Sequence, residues 1–279
     1  MFKKIAIAIA FSPRQQALIA EARRLQLRFN AAIVFIHVGD RTAEKEEQLQ
    51  GYLSSAGFSA EQANIFWEEG DAVKLILSVC RKQHVDLLVA GALKKENIFR
   101  YYIGSIARKI LRKADCPVMV LTEPRMNPRP YQNIAIHAGD RAEAFNAIQS
   151  GCMLGQLEGA KQVHIIKEIK MYGLTMALAG EDPEHEYSEA RRTLVQDEIS
   201  TVQHVINRCP ECKGLRINIK IAAGKSGYEL AKFARNAEAD LLVMEAPKRS
   251  LNIFDRIFPH DLEYILADLP TNLLLVPGD

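Results

Sequence analysis

The sequence predicts an α/β protein of two tandem doubly wound parallel-sheet domains. Three observations carry that reading: the chain repeats its own pattern in the same order, the repeated runs are apolar throughout, and a proline-rich segment separates the copies.

The repeats come in four pairs. KIAIAIAFS at 4–12 matches NIAIHAGD at 133–140, and AAIVFIHV at 31–38 is followed by AKQVHIIK at 160–167. VDLLVAG at 85–91 returns as ADLLVME at 239–245, and ADCPVMVL at 114–121 returns as ADLPTNLLLV at 267–276. Ile, Val and Leu dominate these runs, as expected of strands covered on both faces.

Helical patterns fill the intervals. Residues 13–29 place Ala17, Ala20, Leu25 and Phe29 among Arg and Gln, and 71–83 place Val73, Leu75, Ile76 and Val79 on one side. Each half therefore reads β-α-β-α-β-α-β, with right-handed crossovers and a sheet of its own. Ligands of such sheets lie beyond the carboxyl ends of the strands, at the point where strand order reverses.

Three prolines in Glu123–Pro130 disfavour helix and central strand and predict an extended spacer. The expected domains are 1–123 and 132–279, joined by a linker over 124–131. The repeat spacing grows from 127–129 residues early to 153–155 late, so the second domain carries an insertion near 169–198. Its opening, KMYGLTMALAG, reads as a longer helix covering its own domain or as a partner surface.

Composition narrows the function classes. With 279 residues, 48% apolar and 25% charged, the chain is globular, and a net charge of +2 argues against nucleic acid. Residues 1–130 hold 20 Lys and Arg against 13 Asp and Glu, whereas 131–279 hold 16 against 21. That asymmetry suits two halves that pack together, although solvated faces alone would produce it. No segment approaches the ~18 apolar residues of a membrane span, and the apolar start after Lys3-Lys4 is too short for a signal peptide. Five cysteines without regular spacing suit a reducing compartment, so a cytoplasmic location is expected.

The chemistry concentrates after VDLLVAG. Gly91, two residues, Lys94, nine residues, then Gly104-Ser105 opening a helix place small residues where a backbone could approach phosphate oxygens. The same residues also serve as a strand exit and a helix cap in many α/β folds. This spacing, with the following SIARKILRKADCPVMVL, resembles the universal stress protein family. That resemblance implies a Rossmann-like fold of the adenine nucleotide alpha hydrolase type, with ATP as the candidate cofactor. The family pattern has glycine where Lys94 stands, and an acidic residue near the end of the first strand where Ala10 stands.

The nucleotide site is therefore expected to be degenerate and confined to the first half. Gly91, Lys94, Gly104 and Ser105 would face phosphates, with Ala10, Ser12 and Val38 lining the pocket. Lys94, Lys95, Arg100, Arg108, Lys109, Arg112 and Lys113 raise the local potential, or simply form a solvated helix face. In the second half the corresponding positions are Glu245, Lys248, Phe258 and Pro259, so no site is expected there, and His137 reads as a satisfied polar residue.

Cys209-Pro-Glu-Cys212 with His204 has half the ligands of a zinc site. Two unlinked thiols, a disulfide and a metal remain open, with no tightly bound zinc expected.

The leading functional expectation is a non-enzymatic stress-response protein whose halves self-associate through 118–122 and 272–276, with a homodimer and a protein partner as further candidates. An ATP-binding switch or slow ATPase and a small-molecule carrier are the alternatives, because no catalytic motif such as GxSxG or HExxH is present.

Overall fold

The computed structural model describes residues 2–59, 61–94, 101–139, 145–169, 183–224, 227–246 and 260–278. The first half runs β1 (Lys4–Ile9), α1 (Gln15–Phe29), β2 (Ala32–Val38), α2 (Ala43–Ser55), β3 (Asn64–Glu68), α3 (Ala72–Lys82), β4 (Leu87–Gly91), a hairpin of β5 (Leu93–Lys94) and β6 (Tyr101–Tyr102), α4 (Ser105–Lys113) and β7 (Val118–Leu121). The second runs β8 (Asn133–Ala138), α5 (Phe145–Glu158), β9 (Gln162–Ile169), α6 (Pro183–Arg208), β10 (Ile217–Ala223), α7 (Tyr228–Asn236), β11 (Leu241–Glu245), α8 (His260–Ala267) and β12 (Asn272–Val276).

Local chemistry sets these boundaries. Asp71 caps α3 by accepting from the Lys74 N–H at 2.9 Å, and Thr42 caps α2 in the same way. Asn30 ends α1 in the left-handed conformation that asparagine tolerates. The first strand of each half is held at its start by an equivalent aspartate. Asp86 accepts from the Lys3 and Lys4 amides, and Asp240 accepts from Gln132 and Asn133.

All main strands belong to one ten-stranded sheet of order β10-β9-β8-β11-β12-β7-β4-β1-β2-β3. Within it the halves share one internal order, β3-β2-β1-β4-β7 and β10-β9-β8-β11-β12, and every pairing inside a half is parallel. The halves meet where β7 and β12 pair antiparallel, with Leu274 opposite Met119.

Two expectations are corrected here. The halves do not carry separate sheets, because each ends on a strand whose outer backbone groups are unpaired, and pairing the two removes both edges. Each half has five main strands, not four. The fifth strand in the first half, β3, is a half-buried edge segment, NIFWE, too polar to stand out as an apolar run.

Helices cover both faces, and each of the two cores spans both halves. One joins Ile5, Ile7 and Met119 to Ile134, Ile136 and Leu274, while the other joins Leu88 and Val118 to Leu242 and Leu273. Helix α6 has 26 residues against 13 in its counterpart α2, and Val202 on it is buried. The KMYGLTMALAG segment, apart from its neighbours at either end, lies outside the described residues.

Candidate functional site

In the first half strand order reverses between β1 and β4, so the crevice expected to hold a ligand opens at their carboxyl ends. Gly91 is exposed there, and a Cβ built on it would meet nothing within 4 Å. Packing does not demand glycine at that position, and the space in front of it is open. Lys94 stands in β5, paired with Tyr101 across the short hairpin. Lys95 and Arg100 lie outside the described residues.

Gly104 precedes α4 in extended conformation, with φ −66° and ψ 167°, and provides no side-chain cap. A Cβ at Gly104 would sit 2.7 Å from Leu93 Cδ1, so close packing against β5 favours glycine here. Ser105 is the exposed first residue of α4. The first amides of that helix thus lack an intrahelical acceptor and a cap, which leaves an anion-receptive terminus.

Arg14, unremarked in the sequence, crosses the reversal point. It leaves the segment after β1 and donates to the Ala92 carbonyl at 2.5 Å and the Thr122 carbonyl at 2.6 Å, beyond β4 and β7. Its guanidinium lies 5.4 Å from the Tyr101 ring centre. Beside it, Gln15 is 2% exposed, and neither of its side-chain polar atoms has a hydrogen-bond partner among the described residues.

The outer part of the crevice is filled by the protein's own rings. Ala10 and Ser12 are exposed and Val38 is half-buried, so they remain at the rim. Between them Phe11, at φ 36°, stacks on Trp67 at 6.0 Å and meets His37 edge-on at 4.7 Å. His37 Nδ1 lies 3.1 Å from the Ile9 carbonyl, while its buried Nε2 has no partner among the described residues. Gly39 follows at φ 149°, and a Cβ there would approach Nε2 to 3.1 Å, so both conformation and contact favour glycine. The chain's only tryptophan was the one available sequence signal for this cluster.

The basic residues of α4 do not form one ligand patch. Arg108 and Arg112 both pair with Glu263 of α8, tying the halves together on that face.

In the second half Glu245 takes the place of Gly91 at the end of β11, and Gly278 packs against it so closely that a Cβ there would lie 2.9 Å from its Oε1. Lys248, Phe258 and Pro259 lie outside the described residues. His137 is 3.6 Å from Glu168, whose carboxylate accepts from the Gly227 and Leu230 amides at the start of α7. Lys167 donates to the Gly139 carbonyl at 2.8 Å and faces Glu198 at 3.8 Å.

The CxxC segment forms a 3-10 turn, Pro210–Cys212, and the structure pairs its sulfurs differently from the sequence spacing. Cys212 Sγ lies 3.1 Å from Cys152 of α5, and Cys209 donates to Glu211 at 3.3 Å. All five cysteines are free thiols, and burial pushes the Cys209 thiol up to about 12. The hydrogen bond with Cys152 moves Cys212 upward too. His204 is exposed on α6 while both sulfurs are buried. Among the described residues no three His, Cys, Asp or Glu side chains group to hold a metal. No helix among them is long and apolar enough to cross a membrane.

Residues 1–122 match the model of the universal stress protein family. A universal stress protein from Methanocaldococcus jannaschii is 33% identical over 57 residues, which is 20% of this chain and 34% of that protein, so the match spans about a third of that relative. Among solved structures, a universal stress protein from Archaeoglobus fulgidus superposes with a TM-score of 0.68 at 12% identity, covering 98% of both chains. A functionally unknown protein from Pseudomonas aeruginosa superposes at 0.68 with 17% identity, covering 100% of this chain and 93% of that one. At these identities the two superpositions establish the fold.

Proposed function

We propose, on the match of residues 1–122 to the universal stress protein family, that the chain acts in stress response as a non-enzymatic binding protein whose first half keeps only part of a nucleotide site. The second half repeats the strand order of the first and is read as a second, altered copy of that unit.

The observation that carries this reading is how the first-half crevice is filled. Arg14 bridges the Ala92 and Thr122 carbonyls across the reversal point, and Phe11, His37 and Trp67 occupy the corner beyond β1–β3. The open space at Gly91 and the uncapped start of α4 at Gly104-Ser105 fit phosphate oxygens. The rim fits a base and ribose poorly, since Ala10 offers no side-chain acceptor and the rings leave little room to stack. Phosphate contact without a base pocket yields weak affinity and little nucleotide selectivity.

Gln15 and His37 Nε2 support a binding role. Buried polar atoms without partners are costly, by about 1–3 kcal/mol each, and such costs cluster where a ligand or water completes the set. Titration calorimetry of the full chain with ATP and magnesium tests the proposal: one weak event is expected, and tight binding or steady ATP turnover by the purified chain would refute it.

A further inference from the structure

We infer that Cys116 and Cys80 form a peroxide-reactive thiol pair, in which Cys116 attacks the oxidant and Cys80 closes a disulfide onto it. Cys80 stands in the last turn of α3, is 5% exposed, and is fixed there by the Val85 amide, which donates to its carbonyl at 2.9 Å. Cys116 lies half-buried between α4 and β7, and the carbonyl of the next residue, Pro117, accepts from the Leu88 amide of β4 at 3.0 Å. Cys80 belongs to one of the two cores, and Cys116 packs against that same core. Across this seam the Cys80 thiol donates a hydrogen bond to Cys116. Their chain neighbours meet as well, with Arg81 3.5 Å from Asp115.

The two thiols differ in the way that the chemistry needs. Attack on an oxidant requires a thiolate. The hydrogen bond from Cys80 holds the Cys116 thiol below the ordinary value, against burial and the carboxylates of Asp115 and Asp86. The same bond, together with burial, pushes Cys80 up, so Cys80 keeps its proton. A groove of about 600 Å3 between α3 and α4 reaches Arg81 and Asp115, the chain neighbours of both sulfurs, and gives a small oxidant a route. Cys152 and Cys212 provide an internal contrast. Their sulfurs are 3.1 Å apart, but both residues are buried and Cys212 is pushed up, so that pair offers no accessible thiolate.

The reaction balances with a hydroperoxide as the oxidant. The Cys116 thiolate attacks one peroxide oxygen, the O–O bond breaks, and the other oxygen leaves as hydroxide or alkoxide and takes up a proton. Cys116 is then a sulfenic acid. That oxidation removes the thiolate whose hydrogen bond is the main cause of the raised Cys80 value, so the second thiol is released. Cys80 attacks the Cys116 sulfur, the S–O bond breaks, and hydroxide leaves as water with the Cys80 proton. Two thiols lose two electrons, and the peroxide is reduced to two waters, or to water and an alcohol. The disulfide ties the end of α3 to the segment entering β7, the strand on which the halves meet.

Treatment of the full chain with a small molar excess of hydrogen peroxide, followed by thiol blocking and non-reducing peptide mass spectrometry, tests the pair. In wild type the expected first product is a peptide linked between Cys80 and Cys116. Cys80→Ser should stop at a Cys116 sulfenic acid, captured by dimedone, and Cys116→Ser should slow oxidation of Cys80 about tenfold. The linkage is read in wild type itself, so the outcome does not depend on the folding of a variant. A Cys152 to Cys212 linkage formed ahead of it, Cys116 over-oxidised while Cys80 stays reduced, or equal Cys80 oxidation in wild type and Cys116→Ser would each overturn the assignment.

Discussion

Arg24 of α1 donates to both carboxylate oxygens of Glu158 on α5, at 2.6 and 2.8 Å, with its guanidinium 4.6 Å from the centre of the Tyr131 ring. This contact joins the two halves where solvent is excluded, since the Glu158 side chain is 0% exposed. Truncating one member of a buried ion pair costs about 3–5 kcal/mol when it leaves the other charged and unpaired. Because Arg24 keeps Glu21 at 3.0 Å, Glu158→Ala should destabilise the chain by less, about 2–3 kcal/mol in denaturant unfolding. Because both cores run through both halves, the loss should appear as a lower midpoint of one transition. Two resolved transitions would show that the halves are stable apart.

Glu21 sits in the same cluster, 3.0 Å from Arg24, and burial raises its carboxyl above the usual carboxylate range. A raised folded value means the native state holds this proton more tightly than the unfolded chain, so the associated stability is present at low pH and is lost as pH climbs through the folded value. At neutral pH the Arg24 guanidinium then faces two buried carboxylates, of which Glu158 also has Arg28 at 3.9 Å while Glu21 pairs with Arg24. Glu21→Gln should raise the unfolding midpoint at pH 7, and the gain should vanish below about pH 4, where the wild-type group is protonated as well. A lower midpoint at pH 7 would show that the Arg24 contact outweighs the burial.

The two bonds from Arg14 close the crevice at the point of strand reversal. Arg14→Ala strips the Ala92 and Thr122 carbonyls of that donor and should cost about 1–3 kcal/mol, read from the shift of the denaturant midpoint. A change below a few tenths of a kcal/mol would mean that water replaces the guanidinium without loss.

Much of this was legible in the sequence, for identifiable reasons. The fold was readable because buried parallel strands are continuous apolar runs, and this chain writes them twice in one order. The edge strand β3 was not, because half-burial spreads its polar and aromatic residues along a short run. Gly91, Gly104 and Ser105 are singled out as candidates by their spacing, whereas Arg14, Phe11 and Trp67 carry no motif and meet only through the topology. The joining of both halves into one sheet follows from strand edges, which the alternation of elements does not reveal. Likewise, the Cys209 and Cys212 spacing pointed to each other, while the fold brings Cys212 to Cys152, sixty residues away.

Thiol reactivity offers an independent check on the packing. Cys209 is buried and pushed up to about 12, and Cys212 is buried and also raised, so both should resist an aromatic disulfide reagent at pH 7.5. Cys116 is half-buried, and a hydrogen bond from Cys80 moves its thiol below the ordinary value, so it should react first. All five should react once the chain is unfolded. Labelling followed by mass spectrometry that finds Cys209 modified as fast as Cys116 would contradict the buried arrangement.

The central claim is that nucleotide affinity is weak and rests on the start of α4 in the first half. Ser105→Asp separates binding from stability, because a carboxylate in the first turn favours the helix by about 0.3–1 kcal/mol while repelling phosphate. Calorimetric titration of wild type and Ser105→Asp with ATP and magnesium, alongside their thermal midpoints, is the most direct measurement. The account predicts one event weaker than about 100 μM in wild type, roughly −5.5 kcal/mol or less in magnitude, that disappears in a variant at least as stable. Micromolar binding, two equivalent sites, or an isotherm unchanged by Ser105→Asp would contradict it.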